Sequence, residues 1–527
     1  MGEGGWGCVM RVREMNIGRE NWFVNKRSGI VRWLFMGEQA TKRTRRFRRS
    51  WQVQVLGALI VVVLIVRLVW GWWVGRQLQA QLDEIRRRGE PAAVSDIVFA
   101  GVADEQNAWT YQTRAAKAIS EKAESPSNSN LEYPDYPSFP AEWTKLARAS
   151  EQANAEAFAL ARQARRYSQV QTRRELPSPL TVAVAIHSSV NEVKNLANVL
   201  ADAAMYSHFQ GDDVEAIERL LDLLHLSRSL RQDDFLVSQL VSNGMEAQAC
   251  HAAFVIGPGL RLDRAATNSA MGKRVQRLIA ELMDETLPDR GLRRSVAMER
   301  LSWIDVLRYR GSKTWFIRPL AEQQMLRAIQ GFEFIAQASQ CNNNAQSQDI
   351  VKRYTWEKGQ GMDMGEQMLR MMFKMPPAKP TIPRYSRWFY TEPENAAWIE
   401  RHFRTLGERR AAATALACQV YRADHGQWPQ RLDQLVPEFL PAVPRDPYCA
   451  DERSIGYLVL KTRLPGGGDR PLLYFDAGAT DIPIPDQPAY AWMSDLRPGG
   501  HRGSIRQYRD ITWFEPGKST KAIYHDP

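Results

Sequence analysis

A chain of 527 residues that is 44% hydrophobic and 24% charged, with a net charge of +11, is neither disordered, collagen-like nor a polytopic membrane protein. At about 150 residues per domain, the length corresponds to roughly two to four folded units. The basicity is local: residues 1–50 hold twelve Arg or Lys against four Glu, while the remaining 477 residues carry a net of only +3, so the composition gives no general nucleic-acid footprint.

Residues 1–50 read as a basic cytoplasmic tail that ends in Lys42, Arg43, Arg45, Arg46, Arg48 and Arg49. Residues 51–75 follow as a transmembrane helix. From Val53 to Gly75 the chain is apolar except for Gln54 and Arg67, which supplies the roughly 20 residues a bilayer-spanning helix needs. Trp51 on one side and Trp70, Trp72 and Trp73 on the other suit the two interfacial aromatic belts, and Arg67 sits close enough to an interface to snorkel. The apolar run is too long for a secretory signal, and the bulky stretch Trp70 to Gly75 offers no small-x-small cleavage site. The positive-inside rule then predicts a single-pass signal anchor in the bacterial inner (cytoplasmic) membrane, with the N-terminus cytoplasmic and the bulk after about Arg76 extracytoplasmic, in the periplasm. The bilayer is the first expected partner, and Thr41 to Arg49 can meet anionic headgroups. The chain has no Asn-x-[Ser/Thr] sequon, which fits a bacterial source.

Residues 76–375 read as a helical extracytoplasmic domain. Gln77 to Arg88 continues the membrane helix, and further helices are expected at Asn107–Glu124 and Ala141 to about Gln171. Between these two, four Pro in Ser125 to Pro140 break the pattern; the Tyr- and Pro-containing strip Leu131 to Trp143 is expected to pack down as a loop. Asn191–Gln210 and Asp213–Arg231, joined at Gly211-Asp212, form a helical hairpin with Val214, Ile217, Leu220, Leu221 and Leu224 on one buried face. That stretch looks like a tetratricopeptide unit, but no second copy follows at 34 residues. Further helices are expected at Phe235–Val255, Asp263–Glu285, Arg290–Arg310 and Phe316–Ser339. Six methionines between Met362 and Met375 have the soft sulfur that Cu(I) takes, but with no Cys or His beside them they read as gap-filling helix residues.

Residues 376–392 form a Pro-rich linker, and a module over residues 393–527 begins beyond it. Glu394–Ala423 is expected as one long helix closed by Gly426 and stopped by Pro429. Ile455–Lys461 and Pro471–Asp476 read as an antiparallel hairpin, so helix, loop and hairpin make an α+β unit.

Tyr421, Asp424, Gly426, Trp428, Pro429, Leu432, Leu435, Val436, Pro444, Asp446 and Pro447 follow a specific order over about 80 residues. This stretch resembles the C-terminal part of the major pseudopilins of bacterial type II secretion, where a helix ends in Tyr-x-x-Asp-x-Gly-x-[Tyr/Trp]-Pro ahead of a small sheet. The prepilin peptidase site of that family is absent from Arg48 to Ile60, and more than 300 residues separate the apolar helix from the motif, unlike a processed filament subunit. In the family a loop after the last strands can bind calcium, which implies Asp476 and Asp481 as candidate oxygen ligands, although the paired glycines are missing. The resemblance also implies that Tyr421, Asp424, Gly426, Trp428, Pro429, Pro444, Asp446 and Pro447 form a structural motif.

Cys250, Cys341, Cys418 and Cys449 are four cysteines on the extracytoplasmic side, enough for two disulfides or four buried thiols. In the related fold the loop carrying Asp446-Pro447 packs near the preceding helix, which makes Cys418 with Cys449 the preferred bridge. There is no CxxC, HExxH, GxSxG or GxxxxGK[ST], so no catalytic residue and no cofactor is assigned. Asp424-His425 lies in a last helical turn, where a cation favours the helix dipole. The expected fold is therefore mainly α, with a single N-terminal transmembrane helix, an extracytoplasmic helical domain and a small C-terminal α+β, pseudopilin-like module. The expected function is a membrane-anchored scaffold or interaction protein of the bacterial cell envelope, partnered by envelope proteins and associated with secretion machinery. A hydrolase with its site in the helical domain is the alternative.

Overall fold

The computed structural model describes residues 37–99, 101–120, 125–129, 139–176, 178, 180, 188–264, 266–312, 318–360, 394–460 and 470–475. The linker 376–392, the methionine-rich stretch, most of the Tyr- and Pro-containing strip, and both calcium candidates, Asp476 and Asp481, lie outside the described residues. What is described is mainly helical, with a single two-stranded sheet.

Helix α1 (Gly37–Arg87) contains the one stretch among the described residues that is long and apolar enough to cross a membrane. Its apolar side chains from Val55 to Val66 are all exposed, on every face of the helix, whereas a core helix of a soluble protein would bury them. The helix runs on unbroken past Gln77, as the sequence predicts. There Leu78, Leu82 and Ile85, three and four residues apart, join Ala92, Ile304, Leu307, Met325 and Ile329 in one buried cluster. Two ion pairs reinforce this contact: Arg88 reaches Glu333 at 2.9 Å and Arg300 reaches Glu90 at 2.6 Å.

The short helix α2 (Ala108–Lys117) begins at Asn107, whose side chain accepts from the Trp109 amide. Where the composition suggested one helix to about Gln171, there are two: α3 (Ala141–Ala153) and α4 (Ala155–Ala164). Asn154 makes the break because its side chain prefers local bonds, donating to the Ser150 carbonyl and accepting from the Ser120 amide, each at 2.8 Å. Past Ala164 the chain extends instead, and Gln169 pairs with Asn107. The predicted hairpin is present as α5 (Ser188–Phe209) and α6 (Asp213–Leu230). Gly211 at φ +85° supplies the left-handed turn, and Asp212 caps α6 through the Glu215 amide.

Helix α7 (Leu236–Ile256) packs on α5 and α6, and α8 (Ala270–Met283) starts at the cap Ser269 rather than at Asp263. Helix α9 (Thr286–Ser312) pairs with α10 (Arg318–Ala338), and α11 (Asn344–Gln360) follows where no helix was expected. Pro288 is tolerated because it lies in the first turn of α9, where an amide has no intrahelical acceptor. The long helix α12 (Glu394–His425) lies against α7 and α8. Strands β1 (Gly456–Leu460) and β2 (Arg470–Tyr474) pair antiparallel with Leu458 opposite Leu472. Leu473 and Phe475, with Trp428, Leu432 and Leu435, belong to the same hydrophobic core as α5, α6, α7 and α8. Helix α12 and the hairpin thus share their core with the upstream helices.

Candidate functional site

One face of α6 builds the wall of a surface cavity. Leu221, His225, Arg228 and Ser229 line up along a single side of the helix, and Gln232 follows in the turn just past its end. Arg277 and Glu281 come from one face of α8, Leu287 from the first turn of α9, and Arg165 to Ser168 from the chain leaving α4. Together they enclose about 300 Å³.

Four arginines and one glutamate line this space. Arg165 is held by its Nη1, which donates to the Glu218 carboxylate at 2.8 Å, the Glu218 carbonyl at 3.1 Å and Asp222 at 2.9 Å. Arg228 is held the same way: its Nη1 donates to Glu281 at 2.7 Å and lies 3.3 Å from Asp284. Among the described residues, the side chains of Arg166 and Arg277 make no ion pair or hydrogen bond. Burial raises the pKa of Asp222 despite its two arginine partners, whereas for Glu218 burial is outweighed by Arg165, with Arg162 and Arg277 adding to it, and the carboxyl lies below its usual value.

His225 is neutral here. Burial, and next the charge of Arg165, push its imidazole down to about 4, although a bond to the Tyr167 backbone works the other way. Gln112 Nε2 lies 3.1 Å from His225 Nδ1 and donates to Ser229 Oγ at 2.9 Å, while the Ser229 hydroxyl donates to the His225 carbonyl at 2.9 Å. The serine is thus not activated by the imidazole, and the cavity lining pairs no nucleophile with a base.

The second cavity, also about 300 Å³, mixes both signs: Glu285, Asp289, Asp446 and Glu452 stand against Arg293, Arg410 and Arg445. These charges are largely spent on one another. Arg410 binds Glu285 through two bonds of 2.6 Å, Arg445 pairs with Glu452, and Asp289 lies 3.2 Å from His402. Among the described residues no group of three or more His, Cys, Asp or Glu side chains is arranged to hold a metal.

Of the motif residues, Gly426 closes α12 at φ +72°, its amide donating to the Arg422 carbonyl at 2.8 Å. Trp428 is buried under the guanidinium of Arg422, 4.4 Å from the ring centre. Tyr421 stacks on His425, Asp424 accepts from the Thr267 amide and hydroxyl, and the Pro429 carbonyl accepts from the Tyr457 hydroxyl at 2.7 Å. Asp446 is buried and accepts from the Tyr448 amide at 2.8 Å, the Pro444 carbonyl accepts from the Ile455 amide at 3.0 Å, and the Pro447 carbonyl accepts from the Asn344 amide at 2.8 Å. These residues serve different neighbours: Tyr421 and Trp428 lie in the shared core, Asp424 reaches Thr267 and Pro447 reaches Asn344. Cys418 and Cys449 are not bridged, contrary to the preferred pairing. Cys418 is hydrogen-bonded to Tyr457, and the Cys449 thiol donates to Asp446 at 3.4 Å, so the two sulfurs serve different neighbours.

Sequence reasoning gave no indication of the arginine cavity. The available signal was a polar stripe, Asp222, His225 and Ser229, recurring at helical spacing inside the leucine-rich run of α6. No family model, no curated protein and no solved structure matches the chain.

Proposed function

We propose that the protein is a membrane-anchored scaffold or interaction protein of the bacterial inner membrane, with the part after about Arg76 on the extracytoplasmic side. The observation that carries this is α1, whose Val53–Arg87 stretch is apolar enough to span a bilayer and follows a run of six cations. The cavity linings support binding rather than chemistry, since their ionisable groups are paired or lack a nucleophile. The likeness to pseudopilin C-terminal regions supports a place beside secretion machinery.

Crosslinking in intact cells, followed by capture of the full chain from solubilised membranes, tests this. Recovery of defined envelope proteins in a fixed ratio, lost when residues 394–475 are deleted, is the expected result. A chain recovered alone and monodisperse from cells in which it is expressed at its natural level contradicts it.

A further inference from the structure

We propose that the cavity between α4, α6 and α8 binds a phosphate group, either inorganic phosphate or the phosphate of a small monoester. This does not depend on which side of a membrane the cavity occupies. The charge balance of the lining is the first argument: four arginines face one glutamate, and the histidine among them is neutral. Carboxylates behind the wall form ion pairs with only two of the four cations. Glu218 and Asp222 hold Arg165, and Asp284 shares Arg228 with Glu281, in each case through Nη1 alone. Each guanidinium is thereby fixed while its Nε and Nη2 keep donors for a ligand, and the side chains of Arg166 and Arg277 make no ion pair or hydrogen bond among the described residues, Arg277 acting on Glu218 through its charge alone.

Two features favour phosphate over a carboxylate. A monoester monoanion and the inorganic hydrogen phosphate dianion each carry one hydroxyl as well as acceptor oxygens, so Glu281 on the lining can accept from either while the arginines donate; a carboxylate ion has nothing to donate. The volume, about 300 Å³, exceeds a bare phosphate, and Val170, Leu221 and Leu287 give the remainder an apolar side on which an ester group can rest.

Calorimetric titration of the full chain in detergent with inorganic phosphate, glycerol phosphate and a monomeric short-chain phosphatidic acid is the test. Saturable binding of either soluble phosphate identifies a free ligand, and saturable binding of the phosphatidic acid alone identifies a lipid headgroup; both support the site. Affinity should fall at least tenfold in R166Q/R277Q, which removes only the two arginines without an ion pair. Leu287→Trp, which fills the space without changing charge, should abolish binding. No saturable binding of any probe, or unchanged affinity in both variants with their helical signal intact, overturns the proposal.

Discussion

Glu246 has no solvent exposure, yet it is held charged between two buried cations. Its carboxylate lies 2.9 Å from Arg231 and 3.1 Å from Arg409, and Ser227 donates to it at 3.1 Å. Burial opposes its ionisation, but the two guanidiniums outweigh burial and lower its pKa to about 2. Arg409→Met leaves Glu246 with Arg231 alone and takes the Arg409 donor from the Glu281 and Asp284 carbonyls, so it should destabilise the fold by about 3 to 5 kcal/mol in denaturant unfolding. The adjacent Glu408 behaves oppositely. Burial, with Arg404 resisting and Glu246 adding to the shift, raises it to about 7. For Glu246 the folded pKa is depressed, so its contribution is present above the unfolded value and is lost as pH falls toward 2. For Glu408 the folded state holds a proton that the unfolded chain releases, so stability declines as pH rises from about 4.5 toward 7. Asp202 and Asp234, both raised to about 6 chiefly by burial, add to that decline. Glu408→Gln should therefore flatten the fall in stability across this window by up to about 1.4 kcal/mol per pH unit. A slope unchanged by the substitution would show that Glu408 is ionised in the folded protein.

At the scale of elements, two glycines separate turn strain from steric exclusion. Gly426 takes a left-handed turn with open space around it, so Gly426→Ala should cost only about 1 to 2 kcal/mol of backbone strain. Gly272 lies in the first turn of α8, where alanine is ordinarily preferred, yet an added Cβ would come within 1.7 Å of the Ala266 carbonyl oxygen. Gly272→Ala should be the more damaging of the two, displacing the loop Ala266–Asn268 from α8; an equal or smaller loss of melting temperature would contradict that packing. Trp428→Ala removes a buried ring packed beside α12 and should cost about 3 to 5 kcal/mol, read as new protease cleavage near the hairpin.

The same elements show what the sequence made legible. Gly211 and Gly426 take left-handed backbone that few other residues adopt, so the α5–α6 turn and the end of α12 were readable from residue type. The break at Asn154, the start of α8 at Ser269 and the existence of α11 were not, because each depends on partners far away in sequence or on side-chain bonds that compete with the helix. The arginine cavity was hidden for the same reason. Its residues come from four separate stretches, and whether an arginine is committed or available is settled by contacts such as Glu218 and Asp222 rather than by spacing.

At the scale of the whole molecule, everything proposed about place and partners rests on the orientation of α1. The basic run up to Arg49 precedes the apolar stretch, and the helix then continues to Leu78, Leu82 and Ile85, which bury themselves against α9 and α10. Paired fusions to a reporter that is active only in the cytoplasm measure this directly. Activity when the reporter is fused before Trp51, and none when it is fused after Gln77, is the predicted result. Activity at both positions would remove the membrane span, and activity only after Gln77 would reverse the orientation.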